Sequence, residues 1–356
     1  MRARITVLAV IASLIAAACG GATTTSSPSP AASGATRTTA PTQAPPAKVT
    51  IMVGGLSKQI YLVNKLTDAL GYFKEQNLQA DLIDEPSGTD TETEILAGHA
   101  DIGSGSYDHT IDLQAQGKTL TCIAVLLQEP GEFVMVSTKK ADAVKSPKDW
   151  KGLTAGVTSI GSGTHTLMRA MTVKAGLQVS DVTFVKAGAG DTFIAAMKNG
   201  TIDVGITTQP TVLRLTQLGL AKLHVDLSKP DTTRAALGGD YPFISLWARD
   251  DYISKNKDTV QRTVNAYVKT LKWIGTHTAA DIADKLPADY YGGDKAAYVQ
   301  ALSDSMQMFS PDGKMAAGAA EFVLKTLASF NDKVKAATID LSKTYTSEFL
   351  NKANGK

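Results

Sequence analysis

The sequence predicts an α/β body of two similar halves, each a mostly parallel sheet with helices on both faces. Three observations predict it. Short apolar runs alternate with helical patterns from Lys48 onward, the alternation restarts after Pro130-Gly131, and after Asp240 it gives way to a largely helical stretch.

In the first half, Val49 to Val53 reads as a strand that runs into a Gly54-Gly55-Leu56-Ser57 loop. Leu62, Val63, Leu66, Ala69, Leu70 and Phe73 then fall at helical spacing. Leu78 to Ile83 is a second strand, and a helix around Thr91 to Ala97 stops at Gly98, a natural left-handed cap. Ile102-Gly103 reads as a short third strand before a Ser104-Gly105-Ser106-Tyr107 loop. A helix from Tyr107 to Gln116 and a strand from Thr121 to Leu127 complete the half.

In the second half, Phe133 to Ser137, Leu153 to Val157, Val182 to Val185, Val204 to Thr207 and Leu223 to Leu227 read as strands. Helical patterns at Thr164 to Ala175, Asp191 to Lys198 and Gln209 to Gln217 lie between them. Pro242 to Ala248 reads as a strand returning to the first half, and Val260, Val264, Tyr267, Val268, Leu271 and Ile274 mark a long amphipathic helix. The halves echo each other at one joint. In Gly98-His99-Ala100-Asp101-Ile102-Gly103 and in Gly200-Thr201-Ile202-Asp203-Val204-Gly205, a helix ends at Gly, Asp follows three residues on, and a strand begins.

The start of the chain has a different character. Arg2 and Arg4 precede an uncharged apolar run from Ile5 to Ala18, about 14 residues, too short to cross a bilayer as a helix. It has the form of a signal peptide (residues 1–18) with a small-residue cleavage site before Cys19, which is expected to carry lipid. After Cys19, residues 20–47 are Gly, Ala, Thr, Ser, Pro and Gln with Arg37 as the one charge, so residues 19–47 have the composition of a disordered tether. Formal net charge is +2, and removing Arg2 and Arg4 leaves the remainder near neutral, so no basic stripe for nucleic acid is expected. Apart from Cys19, only Cys122 is present, and it reads as a buried strand residue. His99, His109, His165, His224 and His277 have no metal-site spacing, and no nucleophile elbow or phosphate loop is found. Neither a metal nor a cofactor is expected.

Several segments carry a family likeness. Leu70-Gly71-Tyr72-Phe73-Lys74-Glu75-Gln76-Asn77-Leu78, the Gly98 to Gly103 joint, Ser146-Pro147-Lys148-Asp149-Trp150-Lys151-Gly152-Leu153, and Gly176-Leu177 followed by Asp181-Val182 occur in the order found in solute-binding proteins. Over about residues 48 to 350 the chain resembles the nitrate, sulfonate, taurine and thiamine-precursor branch of ABC-transporter binding proteins. The resemblance implies a two-lobed type 2 periplasmic binding protein fold, with lobe 1 from 48–132 and 242–356 and lobe 2 from 133–241. It also implies a double-crossing hinge, a small-molecule ligand, an ABC permease as partner, a monomer, and attachment outside the cell membrane through Cys19.

Ligands of doubly wound sheets sit beyond the carboxyl ends of the strands. Candidate ligand residues are therefore Gly55, Leu56, Ser57, Ser87, Gly88, Ser106, Tyr107, Ser162, Gly163, Thr164, His165, Thr208 and Gln209. Their Gly, hydroxyl and helix-terminal N–H groups suit a small organic anion such as a sulfonate, taurine or nitrate. Each hydroxyl also suits ordinary helix capping. A pyrimidine, a riboflavin-like or another aromatic metabolite is the alternative, with Tyr61, Tyr107, Phe133, Tyr241 and Phe243 available to stack, although Phe133 and Phe243 read rather as core or hinge packing. The family likeness also admits a pyrimidine-forming enzyme that uses a Cys-rich cluster; a single Cys in the body argues against that activity.

Overall fold

The structure is a computed structural model in which residues 45–355 are described. The proposed signal peptide, Cys19 and nearly all of the tether lie outside the described residues. Among those described, no helix is long and apolar enough to cross a membrane.

Nine strands follow in chain order: β1 (Ala47–Val53), β2 (Leu78–Asp84), β3 (Ile102–Ser106), β4 (Thr121–Val125), β5 (Phe133–Ser137), β6 (Thr154–Val157), β7 (Thr183–Lys186), β8 (Val204–Thr207) and β9 (Ala221–Asp226). A tenth, β10 (Ile244–Ala248), returns to the first group. They form two five-stranded sheets, ordered β2-β1-β3-β10-β4 and β7-β6-β8-β5-β9. In the first, β1 is parallel to β2 and β3, while β10 runs antiparallel between β3 and β4. In the second, β6 is parallel to β7 and β8, while β5 runs antiparallel between β8 and β9. Each sheet is thus mostly parallel, and the antiparallel strand in each is the one the chain uses on crossing from one sheet to the other.

The sequence echo has a structural counterpart. Gly98 and Gly200 cap their helices at φ 83° and 74°, a conformation that costs glycine little. Asp101 Oδ2 then accepts a 2.8 Å bond from the Thr50 N–H, and Asp203 Oδ2 accepts a 3.0 Å bond from the Thr154 N–H. In both sheets the aspartate therefore ties the incoming central strand to its parallel neighbour, β3 to β1 and β8 to β6.

One local expectation is corrected. Ser104, Gly105 and Ser106 are strand residues of β3, not a loop. The Trp247 indole of β10 lies over this strand, and a Cβ on Gly103 would fall 2.1 Å from Trp247 Cζ3 while one on Gly105 would fall 2.7 Å from Cζ2. The strand is small and polar because an aromatic neighbour takes the space, which disguises it as a turn. The amphipathic helix Lys257–Ile274 buries Val260, Val264, Tyr267, Val268, Leu271 and Ile274, as its spacing predicts, and packs on the helix Leu62–Ala69 beside the first sheet.

Candidate functional site

The segments after the parallel strands of both sheets face one hollow. Gly55 and Ser57 after β1, Asp84 to Pro86 at the end of β2, Thr158 after β6 and Lys186 to Thr192 at the end of β7 line an outer cavity of about 740 Å³, together with Pro210, Thr211, Arg214 and Asp289. Adjoining it is an inner chamber of about 20 Å³ between Lys58, Tyr61, Gly88, Ser106, Glu132, Ser162, Gly163, Thr164 and Phe243. Lys58 and Thr158 line both spaces.

The two halves are closed on each other here. Ser159 Oγ donates to Ser87 Oγ at 3.0 Å, and the Gln59 N–H donates to the Gln209 carbonyl at 3.0 Å. Gly163 is pressed so near the first half that a Cβ there would stand 2.5 Å from Ser106 Oγ and 2.7 Å from Phe243 Cζ.

The thirteen residues singled out from sequence separate into groups. Gly55 and Ser57 reach the outer cavity, and Gly88, Ser106, Ser162, Gly163 and Thr164 line the inner chamber. Gly55 has φ 128°, and its missing side chain makes room for Lys58, whose Cε would lie 2.4 Å from a Cβ. The others serve the framework. The Leu56 N–H donates to Asp84 Oδ1 at 2.6 Å, and its carbonyl accepts from the Tyr290 hydroxyl. Ser87 caps the helix Gly88–Ala97 by accepting from the Asp90 N–H. Thr208 Oγ1 donates to the Gly131 carbonyl at the crossover, and Gln209 Oε1 accepts from the Leu213 N–H. Tyr107 is fully buried with its hydroxyl 2.6 Å from Thr344 Oγ1, so its ring belongs to the core and not to the cleft. His165 lines a separate cavity of about 50 Å³ with Asp108, His109, Asp112 and Arg169.

Within the inner chamber, Ser162 and Thr164 are already engaged. Ser162 Oγ donates to the Ser159 carbonyl at 2.7 Å, and Thr164 Oγ1 accepts from the Thr158 N–H at 3.0 Å. These hydroxyls shape the loop. Unmatched polar atoms lie elsewhere: Ser106 Oγ and Glu132 Oε2 are buried without a partner.

The residue that the sequence reading passed over is Glu132. It is 2% exposed at the crossover, and burial raises its carboxyl to about 8, against the opposing pull of Lys58. Burial likewise lowers Lys58 to about 8, although Glu132, Asp84 and Asp90 favour its charge. Lys58 Nζ donates to the Gly54 carbonyl at 2.6 Å and to the Pro86 carbonyl at 3.1 Å. Burial first, then Glu132, Asp108 and Asp84, hold the Tyr61 hydroxyl firmly protonated. A charged residue directly before a buried strand and beside Pro130-Gly131 was the available signal for Glu132. The Gly188-Ala189-Gly190 loop, just before the helix Asp191–Asn199, also lines the outer cavity and is not among the candidates from sequence.

Cys122 is buried in β4, where desolvation pushes its thiol up to about 12, far from the nucleophilic range.

Known proteins fit this geometry. A protein from Bordetella bronchiseptica RB50 superposes with a TM-score of 0.82 at 35% identity, covering 86% of this chain and 97% of that one. The alkanesulfonate-binding protein SsuA from Xanthomonas axonopodis pv. citri, solved bound to MOPS, matches with a TM-score of 0.67 at 18% identity over 85% of this chain and 99% of its own. At that identity the likeness shows the fold alone, the two-lobed periplasmic binding protein fold. In sequence, 4-amino-5-hydroxymethyl-2-methylpyrimidine phosphate synthase of Schizosaccharomyces pombe (strain 972 / ATCC 24843) is 25% identical over 224 residues, 62% of this chain. The match spans 63% of that relative, less than two thirds of its length. The NMT1/THI5-like family model matches residues 66–280, and on that match the chain belongs to the NMT1/THI5-like family.

Proposed function

We propose that the chain is the solute-receiving component of an ABC-type importer, exported, held to the outer face of the membrane by lipid on Cys19, and monomeric. Lobe 1 would comprise 48–132 and 242–356, and lobe 2 would comprise 133–241. The observation that carries this reading is the pair of facing strand-end clusters around an outer cavity of about 740 Å³, a size suited to a small metabolite, above buried polar atoms that lack partners. Contacts such as Ser159 to Ser87 exist only when the halves meet, so a solute touching both halves favours the closed form by differential affinity. The closed form is what a permease would recognise.

The small organic anion expected from the loop composition finds little support in the chamber. Ser162 and Thr164 use their hydroxyls internally, and among the described residues Lys58 is the one cation lining the inner chamber, with Glu132, Asp84 and Asp90 acting on it. A neutral polar or zwitterionic solute is the better match, and the aromatic alternative keeps Tyr61 and Phe243 as walls.

The name of the fission-yeast relative favours an enzyme as the second reading, for which the buried Cys122 and the absence of a second body cysteine are unsupportive. Calorimetric titration of a metabolite panel, with product analysis of each mixture, separates the two. Saturable one-to-one binding with the solute recovered intact supports the receptor, whereas chemical conversion of the solute replaces it with the enzyme.

A further inference from the structure

The inner chamber leaves two buried side-chain oxygens unmatched. Glu132 and Ser106 are 2% and 3% exposed, and neither Glu132 Oε2 nor Ser106 Oγ has a hydrogen-bond partner. Lys58, in contrast, already places two of its three N–H groups on the Gly54 and Pro86 carbonyls. A buried acceptor left unmatched is costly, and a ligand donor is the natural remedy.

Size and charge narrow that donor. A space of about 20 Å³ takes one group the size of a water molecule, and the rest of a solute must lie in the outer cavity. A sulfonate head carries three oxygens and exceeds that room, and a carboxylate, isosteric with a carboxamide, brings no N–H donor to the unmatched Glu132 Oε2. An ammonium would meet the Lys58 charge. One uncharged –NH2 fits both limits, with one N–H directed to Glu132 and the other to Ser106.

We propose that Glu132, seconded by Ser106, is the specificity-determining residue of the cleft and selects solutes bearing an uncharged amino group, as in a carboxamide, over the corresponding acids. This rests on the receptor reading above and names its ligand class. A site built to hydrogen-bond an N–H rejects the analogue lacking it strongly, because its buried acceptor is then left unpaired.

The test uses matched carboxamide and carboxylate pairs on the same aliphatic, pyridine and pyrimidine skeletons, titrated into the full-length protein, Glu132→Gln and Ser106→Ala. In the unmutated protein the amides should bind at least about tenfold tighter than their acids. Titrated above pH 8, where the Glu132 carboxyl is ionised, Glu132→Gln, nearly isosteric, should shrink that ratio to about threefold or less by offering the acid a donor. Ser106→Ala retains the carboxyl and should weaken the amides several-fold while keeping their advantage; it also carries the test if the other variant fails to fold. Acids binding as well as amides, or a Glu132→Gln variant that keeps the full ratio, overturns the assignment and leaves the receptor reading standing. If no pair binds, the amino-group assignment falls, and the receptor reading is decided by the wider metabolite panel.

Discussion

His109 and His165 line one small polar cavity from opposite halves and titrate in opposite senses. Burial works against charge on His109, but Glu92, bonded to its Nδ1, outweighs it and, with help from Asp108 and Asp112, lifts the ring to about 9. The stability this charge brings is fully present below the ordinary histidine value near 6.5 and is lost as pH rises through about 9. His165 is the reverse. Burial first, then Arg169, lower it to about 4, and its Nδ1 accepts from the Gly161 N–H at 3.1 Å, a bond only the neutral ring can make. Its contribution is present above about 6.5 and is lost as pH falls toward about 4. Urea midpoints across that range should therefore fall on both sides, with His109→Gln flattening the alkaline limb and His165→Gln the acid limb. A single limb altered by both variants would contradict the assignment. Neither role was readable in the sequence, because Glu92 and Arg169 define them through tertiary neighbours; His165 looked like a ligand residue only because it follows the Ser162-Gly163-Thr164 run.

Among elements, the repeated Gly-to-Asp joint has the clearest energetic consequence. Asp101 and Asp203 each accept a partly buried backbone N–H from the neighbouring parallel strand. Charge-assisted bonds of this kind contribute about 1.5–3 kcal/mol. Asp101→Ala and Asp203→Ala should each lower the unfolding free energy by about 1–3 kcal/mol. Because they lie in different sheets, the double variant should lose about the sum, measured by chemical denaturation; strong non-additivity would mean the sheets do not respond separately. The joint was legible because a helix stop and an acidic strand start depend on neighbours only a few residues away. Strand β3 was half-legible: Ile102-Gly103 was read as strand, but Ser104 to Ser106 were not, since the cause of their small side chains is Trp247, about 140 residues away. Tyr107 went wrong for a related reason. Its place after the strand suggested the cleft, yet its hydroxyl is held by Thr344 in the C-terminal segment.

For the whole molecule, closure is the property that matters, and Ser159 is its most accessible probe. Its hydroxyl reaches Ser87 at 3.0 Å and Thr89 at 3.4 Å across the cleft. Ser159→Ala should leave the unfolding midpoint within about 1 °C and weaken solute binding by about three- to tenfold, the effect of losing one or two hydrogen bonds made only on closure. Small-angle scattering should show a larger mean radius of gyration for this variant without solute. An unchanged radius together with unchanged affinity would mean that the Ser159 contacts do not hold the halves together.

Short-range patterning was sufficient for the alternation of strands and helices, the two repeated halves and the return of β10, because propensity, helix stops and apolar spacing act over a few residues. The crossing order of the strands and the membership of the site needed the fold itself. Glu132 matters only because Lys58, Ser106 and Phe243 arrive from distant parts of the chain to bury it, while Ser162 and Thr164, which looked like ligand donors, turn inward to their own loop. Desolvation and unmatched hydrogen bonds are properties of surroundings, and the surroundings of this cleft exist only once both sheets have met.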